Sequence, residues 1–223
     1  MGKIFTVIGI CLLWHSFVFA EMKVRVLDMV GQPVSDAVVS IPLSEKKTKP
    51  FIDAETDAMA PAVMDQVDKQ FLPHVLLVRK GQPVVFPNSD QVRHHVYSFS
   101  KPNDFEIRLY SGNQAEPVVF TQPGVVVLGC NIHDKMLGYL YIEGNEITSI
   151  SDGNGIASFE DAFLNETSKE QVITIWHSQL SSNKTERVTR LLQEKDENGA
   201  WLIRLELIPD VKKTSRKFKP RYP

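Results

Sequence analysis

Short runs of β-branched and aromatic residues, each four to six long and separated by polar turns, recur along most of the chain. They fall at 23–27, 37–41, 74–78, 83–86, 95–99, 117–120, 125–128, 139–142, 172–176 and 202–207. Between them stand turn formers such as Gly31-Gln32-Pro33, Gly81-Gln82-Pro83, Gln122-Pro123-Gly124 and Asp152-Gly153-Asn154-Gly155. Many short strands at this spacing predict an all-β protein built as a sandwich or barrel. Helical periodicity is weak, with 159–163 and 186–194 as the short candidates. The phrase Gly-Gln-Pro-Val occurs at 31–34 and again at 81–84, but its surroundings do not agree, so it reads as recurring turn chemistry. Residues 44–69 are charged and short of strand formers, and predict a linker or long loop at a boundary.

The ends and the charge change this picture in two respects. Residues 1–20 carry one lysine, an apolar stretch over 4–13, and Val18 and Ala20 at the minus-three and minus-one positions of a cleavage site, which predicts an export signal removed after Ala20. The apolar stretch is shorter than the roughly 20 residues a spanning helix needs, and the expectation is a chain without an integral membrane segment after cleavage. The formal net charge is −2 for the full chain, and residues 211–223 hold six Lys or Arg and no carboxylate. Removing both ends leaves a body near −9, roughly, which makes nucleic acid an unexpected partner, while the basic end reads as a solvated tail. Of the two cysteines, Cys11 lies in the export signal, so the mature chain keeps Cys130 alone and forms no internal disulfide.

The lone cysteine sits in the most chemically loaded segment, Val-Val-Val-Leu-Gly-Cys-Asn-Ile-His-Asp-Lys-Met-Leu-Gly-Tyr over 125–139. Cys130, His133 and Met136 stand at C-x2-H-x2-M between two predicted strands. Thiolate, imidazole and thioether within seven residues make a soft donor set that suits copper in both oxidation states. Zinc prefers four good N, S or O donors and is poorly served by a thioether. One more imidazole would complete a trigonal plane of two His and one Cys with a weak axial Met. His94 and His95 both lie at the start of an upstream strand, and since successive strand side chains face opposite sides, only one of them can reach the metal. Gly129 and Gly138 bracket the loop and would permit close approach. His74 reads as a strand-edge residue, and His177, after Trp176, as a core residue with a polar tip.

The pairing of N-x5-H-x-V at 88–96 with C-x2-H-x2-M at 130–136 resembles the cupredoxins, especially the short-loop amicyanin and pseudoazurin type. The block 71–142 is similar to the plastocyanin-like "methylamine utilization protein" group of bacterial genomes. The resemblance implies a Greek-key β-sandwich over 65–143 with one type 1 copper held by His94, Cys130, His133 and Met136. It also implies that Asn88 ties the two ligand loops together by hydrogen bonds, and it places His95 where the family commonly has Asn.

The flanking segments 24–42 and 147–162 each resemble half of a carboxypeptidase-regulatory-like, or prealbumin-like, β-sandwich. This implies a discontinuous second unit from 21–60 plus 145–210, with the copper block inserted in it. The function implied is a periplasmic carrier of single electrons in a Gram-negative bacterium, cycling Cu(I) and Cu(II) between redox proteins such as a cytochrome or a dehydrogenase. The alternatives are copper handling without an electron-carrier role and a metal-free interaction module. Because protein ligands would fill all four positions on the metal, the expectation is that the chain is not an enzyme.

Overall fold

The computed structural model describes residues 21–43, 59–112, 116–160 and 171–209. Residues 1–20, where an export signal is expected, residues 211–223 and residues 44–58 of the expected linker therefore lie outside the described residues. The described residues form strands and no helix. In chain order these are β1 Glu21–Asp28, β2 Val38–Pro42, β3 Ala62–Val63, β4 Asp65–Val67, β5 Gln70–Leu72, β6 Val75–Arg79, β7 Pro83–Val85, β8 His94–Ser98 and β9 Phe105–Tyr110. They continue as β10 Val118–Val119, β11 Gly124–Gly129, β12 Leu137–Glu143, β13 Glu146–Ile150, β14 Ile156–Glu160, β15 Val172–Trp176, β16 Arg187–Leu191 and β17 Trp201–Leu205. The all-β expectation holds.

The strands of the middle of the chain make a five-stranded sheet in the order β6-β12-β11-β8-β9 and a three-stranded sheet in the order β10-β7-β3, with β4 and β5 as a separate hairpin. Side chains from the two sheets, the hairpin and their connections fill one buried cluster that includes Met64, Phe71, Phe86, Val96, Leu128 and Leu140. The flanking strands form a second pair of sheets, β14-β1-β17 and β13-β2-β15-β16, around their own cluster of Val24, Val26, Val39, Ile173, Ile175 and Leu205. Each arrangement follows from period-two patterning: an apolar row on one face of a strand leaves water only by meeting an apolar row of another sheet.

β12 is buried on both faces, and this explains its almost continuous apolar sequence. Leu140 and Ile142 point into the middle cluster. Tyr139 and Tyr141 point the other way, into a third cluster with Val38, Val75, Val125 and Trp176 that joins the two pairs of sheets. Tyr139 meets Trp176 edge-on at 5.1 Å between ring centroids, and the Tyr141 hydroxyl donates to Glu146 Oε1 at 3.0 Å while accepting from Arg187 Nη1 at 3.0 Å.

Two local expectations are corrected. Residues 59–69 are no linker, because β3 pairs in parallel with β7 and Met64 and Gln66 are fully buried; the short polar runs here gain their partners from other strands. The helix candidates at 159–163 and 186–194 fail where they are described, since Phe159 lies in β14, paired with β1, and β16 pairs with β15. Tertiary pairing overrides a weak local helical preference.

Candidate metal centre

The strand pair β8 and β11 brings the upstream and downstream candidates together. β8 alternates, so that His94, Val96 and Ser98 face inward while His95 and Tyr97 face out. β11 ends at Gly129, opposite Tyr97, and delivers Cys130 beside the start of β8. A tight loop follows, in which the Met136 N–H donates to the His133 carbonyl at 2.9 Å, and β12 then leaves antiparallel to β11. Two glycines make the approach possible. A methyl on Gly129 would lie 2.9 Å from the Tyr97 ring, and one on Gly138 would lie 2.6 Å from Phe71 Cβ.

Within this frame the Cys130 Sγ lies 3.7 Å from His94 Nδ1 and 3.6 Å from His133 Nδ1. The three potential ligand atoms all fall within 4.8 Å of one another, and the two imidazole rings are 4.9 Å apart between centroids. His94 is fully buried, Cys130 is buried and His133 is partly exposed. Met136, 1 % exposed, packs in the same buried cluster as Cys130. Metal bonds of about 2.0–2.1 Å to imidazole and about 2.3 Å to thiolate, at angles from tetrahedral to trigonal, separate N from S by roughly 3.5–3.8 Å. The observed separations fit an ion held between the three groups. The soft sulfur donors suit copper.

His95 points away from this cluster. Its Nε2 lies 2.9 Å from Glu106 Oε1, too bent for a hydrogen bond, and its ring stacks near Tyr97 at 5.5 Å. Strand alternation thus sets His94, and not His95, beside Cys130. His74 stands over Tyr139, at 5.2 Å between centroids. His177 is buried in the flanking unit, where desolvation holds its pKa below the usual imidazole value against the opposing charge of Asp36.

Asn88 is buried and fully engaged. Its Nδ2 donates to the carbonyls of Val92 and Tyr110, each at 2.9 Å, and its Oδ1 accepts from the Asp90 N–H at 3.0 Å. Both amide hydrogens are used in bracing the His94 loop against the end of β9, which leaves no side-chain donor for the Cys130 loop. Tyr110 closes the frame from behind: its hydroxyl donates to the Phe86 carbonyl at 2.6 Å, and burial, partly offset by a hydrogen bond from Gln66, pushes its pKa up to about 12.

One residue had no separate signal in the sequence. Asp90 Oδ2 lies 2.6 Å from His94 Nε2, and the same carboxylate accepts from the N–H groups of Asp68 at 2.6 Å and Lys69 at 2.9 Å. Burial raises the Asp90 pKa, but the donors at Lys69, His94 and Asp68 outweigh it and hold the carboxyl below its ordinary value. A loop aspartate four residues before a histidine resembles any turn former; only the fold of the 65–72 hairpin against it reveals the contact.

No protein-family model and no curated protein matches the chain. Among solved structures it is similar to a Cu-containing nitrite reductase from Thermus scotoductus SA-01, at 24 % identity and a TM-score of 0.36, over 47 % of this chain and 27 % of that one. It is also similar to a reduced mutant of amicyanin, at 22 % identity and a TM-score of 0.35, over 40 % of this chain and 89 % of that one. A second amicyanin mutant, also in the reduced state, matches at 22 % identity and a TM-score of 0.35, over 47 % of this chain and 98 % of that one. The chain thus spans about a quarter of the nitrite reductase and nearly all of amicyanin. No family match stands behind the narrower likeness to the methylamine utilization group.

The expectation that the chain is not an enzyme is corrected, because the first of these similar structures is an enzyme by its own description. The physical reason is that ligands filling every position exclude substrate at that metal, and at that metal alone.

Proposed function

We propose that the chain is a type 1 copper protein that carries single electrons between redox partners in the periplasm. The observation that supports this most directly is the convergence of two imidazole Nδ1 atoms on one buried thiol, at 3.7 and 3.6 Å. In this reading His94, His133 and Cys130 supply the strong donors, Met136 the weak axial thioether, and Asn88 stiffens the His94 loop. The chemistry that copper supplies in such a site is uptake and release of one electron.

The protein's part is to hold the donors still. His94 is fixed by burial, Cys130 by the end of β11, and His133 by the turn that bonds its carbonyl to the Met136 N–H. A donor set that barely moves suits both oxidation states and keeps the cost of reorganisation low. The partly exposed His133 gives an electron its shortest way out. Residues 1–20 as a removed export signal, and a lone cysteine in an oxidising compartment, accord with a periplasmic site. Among the described residues no helix is long and apolar enough to cross a membrane. The flanking strands, read as a prealbumin-like unit formed by 21–60 and 145–210 around the inserted copper unit, would serve as a docking scaffold. The partner is a redox protein such as a cytochrome or a dehydrogenase.

The test is the visible and electron paramagnetic resonance spectrum of the purified protein loaded with Cu(II), beside Cys130→Ala. The expected result is an intense thiolate-to-copper charge-transfer band with small hyperfine splitting, both lost in the variant. A colourless protein that takes up no copper overturns the proposal. Copper bound without reversible one-electron chemistry favours the copper-handling alternative.

A further inference from the structure

Asp90 links the candidate ligand His94 to a hairpin more than twenty residues upstream. The hairpin turn is unusual in its residues. Asp68 and Lys69 both have positive φ, at 52° and 61°, which is the backbone of a type I′ turn that Asn-Gly adopts at little cost. Here an Asp-Lys pair occupies it, and the N–H groups of both turn residues point at the Asp90 carboxylate. The hairpin is fastened again by Ser89, whose Oγ donates to Asp65 Oδ2 at 2.8 Å. Asp90 is itself set by its own N–H, which donates to Asn88 Oδ1. Its carboxylate thus accepts three hydrogen bonds from three directions and has little freedom to turn.

A carboxylate can only accept, so at 2.6 Å the His94 Nε2 must carry the proton. In the neutral ring this places the lone pair on Nδ1, the atom that faces Cys130 Sγ. The bond also fixes the rotation of the ring about its Cβ–Cγ axis. It passes negative charge toward the imidazole, and a more basic imidazole favours Cu(II) over Cu(I).

We infer that Asp90 is a positioning residue for the metal centre, which selects the Nε2–H tautomer of His94, strengthens its Nδ1 as a donor to Cu(II) and lowers the reduction potential. The 65–72 hairpin belongs to the same device, because Asp68 and Lys69 hold the carboxylate in place. The inference rests on the copper reading for its metal readouts, but its first consequence concerns the metal-free protein.

The test therefore has two arms. In the metal-free wild type, the ¹⁵N and ¹H spectrum of the ring is expected to show His94 as the Nε2–H tautomer with a downfield, exchange-protected Hε2. That resonance should be lost in Asp90→Asn, whose amide can turn a donor toward the ring. A wild-type ring protonated on Nδ1 overturns the inference without any variant, whether or not the protein takes up copper. In the copper-loaded protein, Asp90→Asn is expected to weaken Cu(II) binding by about 10- to 100-fold while staying coloured. If Cu(I) affinity is unchanged, each tenfold loss raises the potential by about 59 mV. Asp90→Glu, which keeps the carboxylate, should recover part of both, and does so even should the asparagine variant fold poorly. Potential and affinity unchanged in a folded Asp90→Asn protein overturn the inference while leaving the copper reading intact. A wild type that binds no copper overturns the copper reading and, with it, the affinity and potential parts of the inference, and the tautomer then decides for or against the positioning of His94 by Asp90.

Discussion

At the scale of single residues, the candidate ligands were legible because three of them lie within seven positions and differ from anything a strand or turn requires. Cys130, His133 and Met136 announce a soft donor set by type and spacing. Residue type and alternation narrowed the upstream imidazole to the pair His94 and His95, the resemblance singled out His94, and it is His94 that lies on the inward face of β8 beside Cys130. Asp90 was not legible, since its role depends on where an unrelated hairpin lies. A second residue-scale consequence concerns His177. Burial is the largest effect on its pKa and lowers it, Asp36 opposes this, and His74 and Lys184 add to the lowering. The folded value thus lies below the unfolded one, about 6.5. The unfolded chain then binds the extra proton more readily, so the stability from a neutral His177 is full above about pH 6.5 and is lost as pH falls through that value toward the folded pKa. The melting temperature of His177→Gln should fall less steeply than the wild type's between about pH 7 and 5. Parallel curves for the two proteins would remove His177 from the account.

At the scale of elements, every interior strand was recognised, whereas of the edge strands only β6, β10 and β17 were. The missed strands are β3, β4, β5, β9, β13, β14 and β16, and each is a sheet edge or part of the isolated hairpin. Edge strands carry charge on their open side and have one neighbour, so their apolar signal is diluted: β16 reads Arg-Val-Thr-Arg-Leu and is exposed at most positions. Central strands such as β11 and β12 bury both faces and stand out as apolar runs. The loop between these two strands depends on close packing at its ends. Gly138→Ala would set a methyl 2.6 Å from Phe71 Cβ, a carbon near the backbone that cannot swing aside. The expected cost is about 1–3 kcal/mol in chemical denaturation, with perturbed copper spectra, because the strain falls two residues from Met136. A variant as stable as the wild type would show that the loop yields more easily than its packing indicates.

At the scale of the whole molecule, two buried clusters are joined by a third. Tyr139 and Tyr141 of β12 meet Trp176 of β15, and Tyr141, Glu146, Arg187 and Ser40 form a hydrogen-bonded group at the same seam. Because Trp176 is fully buried and shared, removing it should both destabilise and uncouple. Trp176→Ala is expected to cost about 3–5 kcal/mol. Calorimetry is expected to show one transition for the wild type and two for the variant. One transition, merely shifted, would mean that the aromatic contact adds stability without coupling the two parts.

The pairing of β1 has a further consequence, in the order in which the chain can fold. β1 takes its neighbours from β14 and β17, so Val24 finds Ala157 on one side and Trp201 on the other. The strands from β3 to β12 find their sheet partners among themselves. As the chain emerges, the middle of the molecule can close its sheets and bring His94, Cys130 and His133 together while the first strand still waits for its partners. Loop-closure entropy acts in the same direction, since it grows with the length of chain to be spanned. The strands drawn from 21–42 and 146–205 are in that sense the last to find all their partners, after His94, Cys130 and His133 already lie side by side.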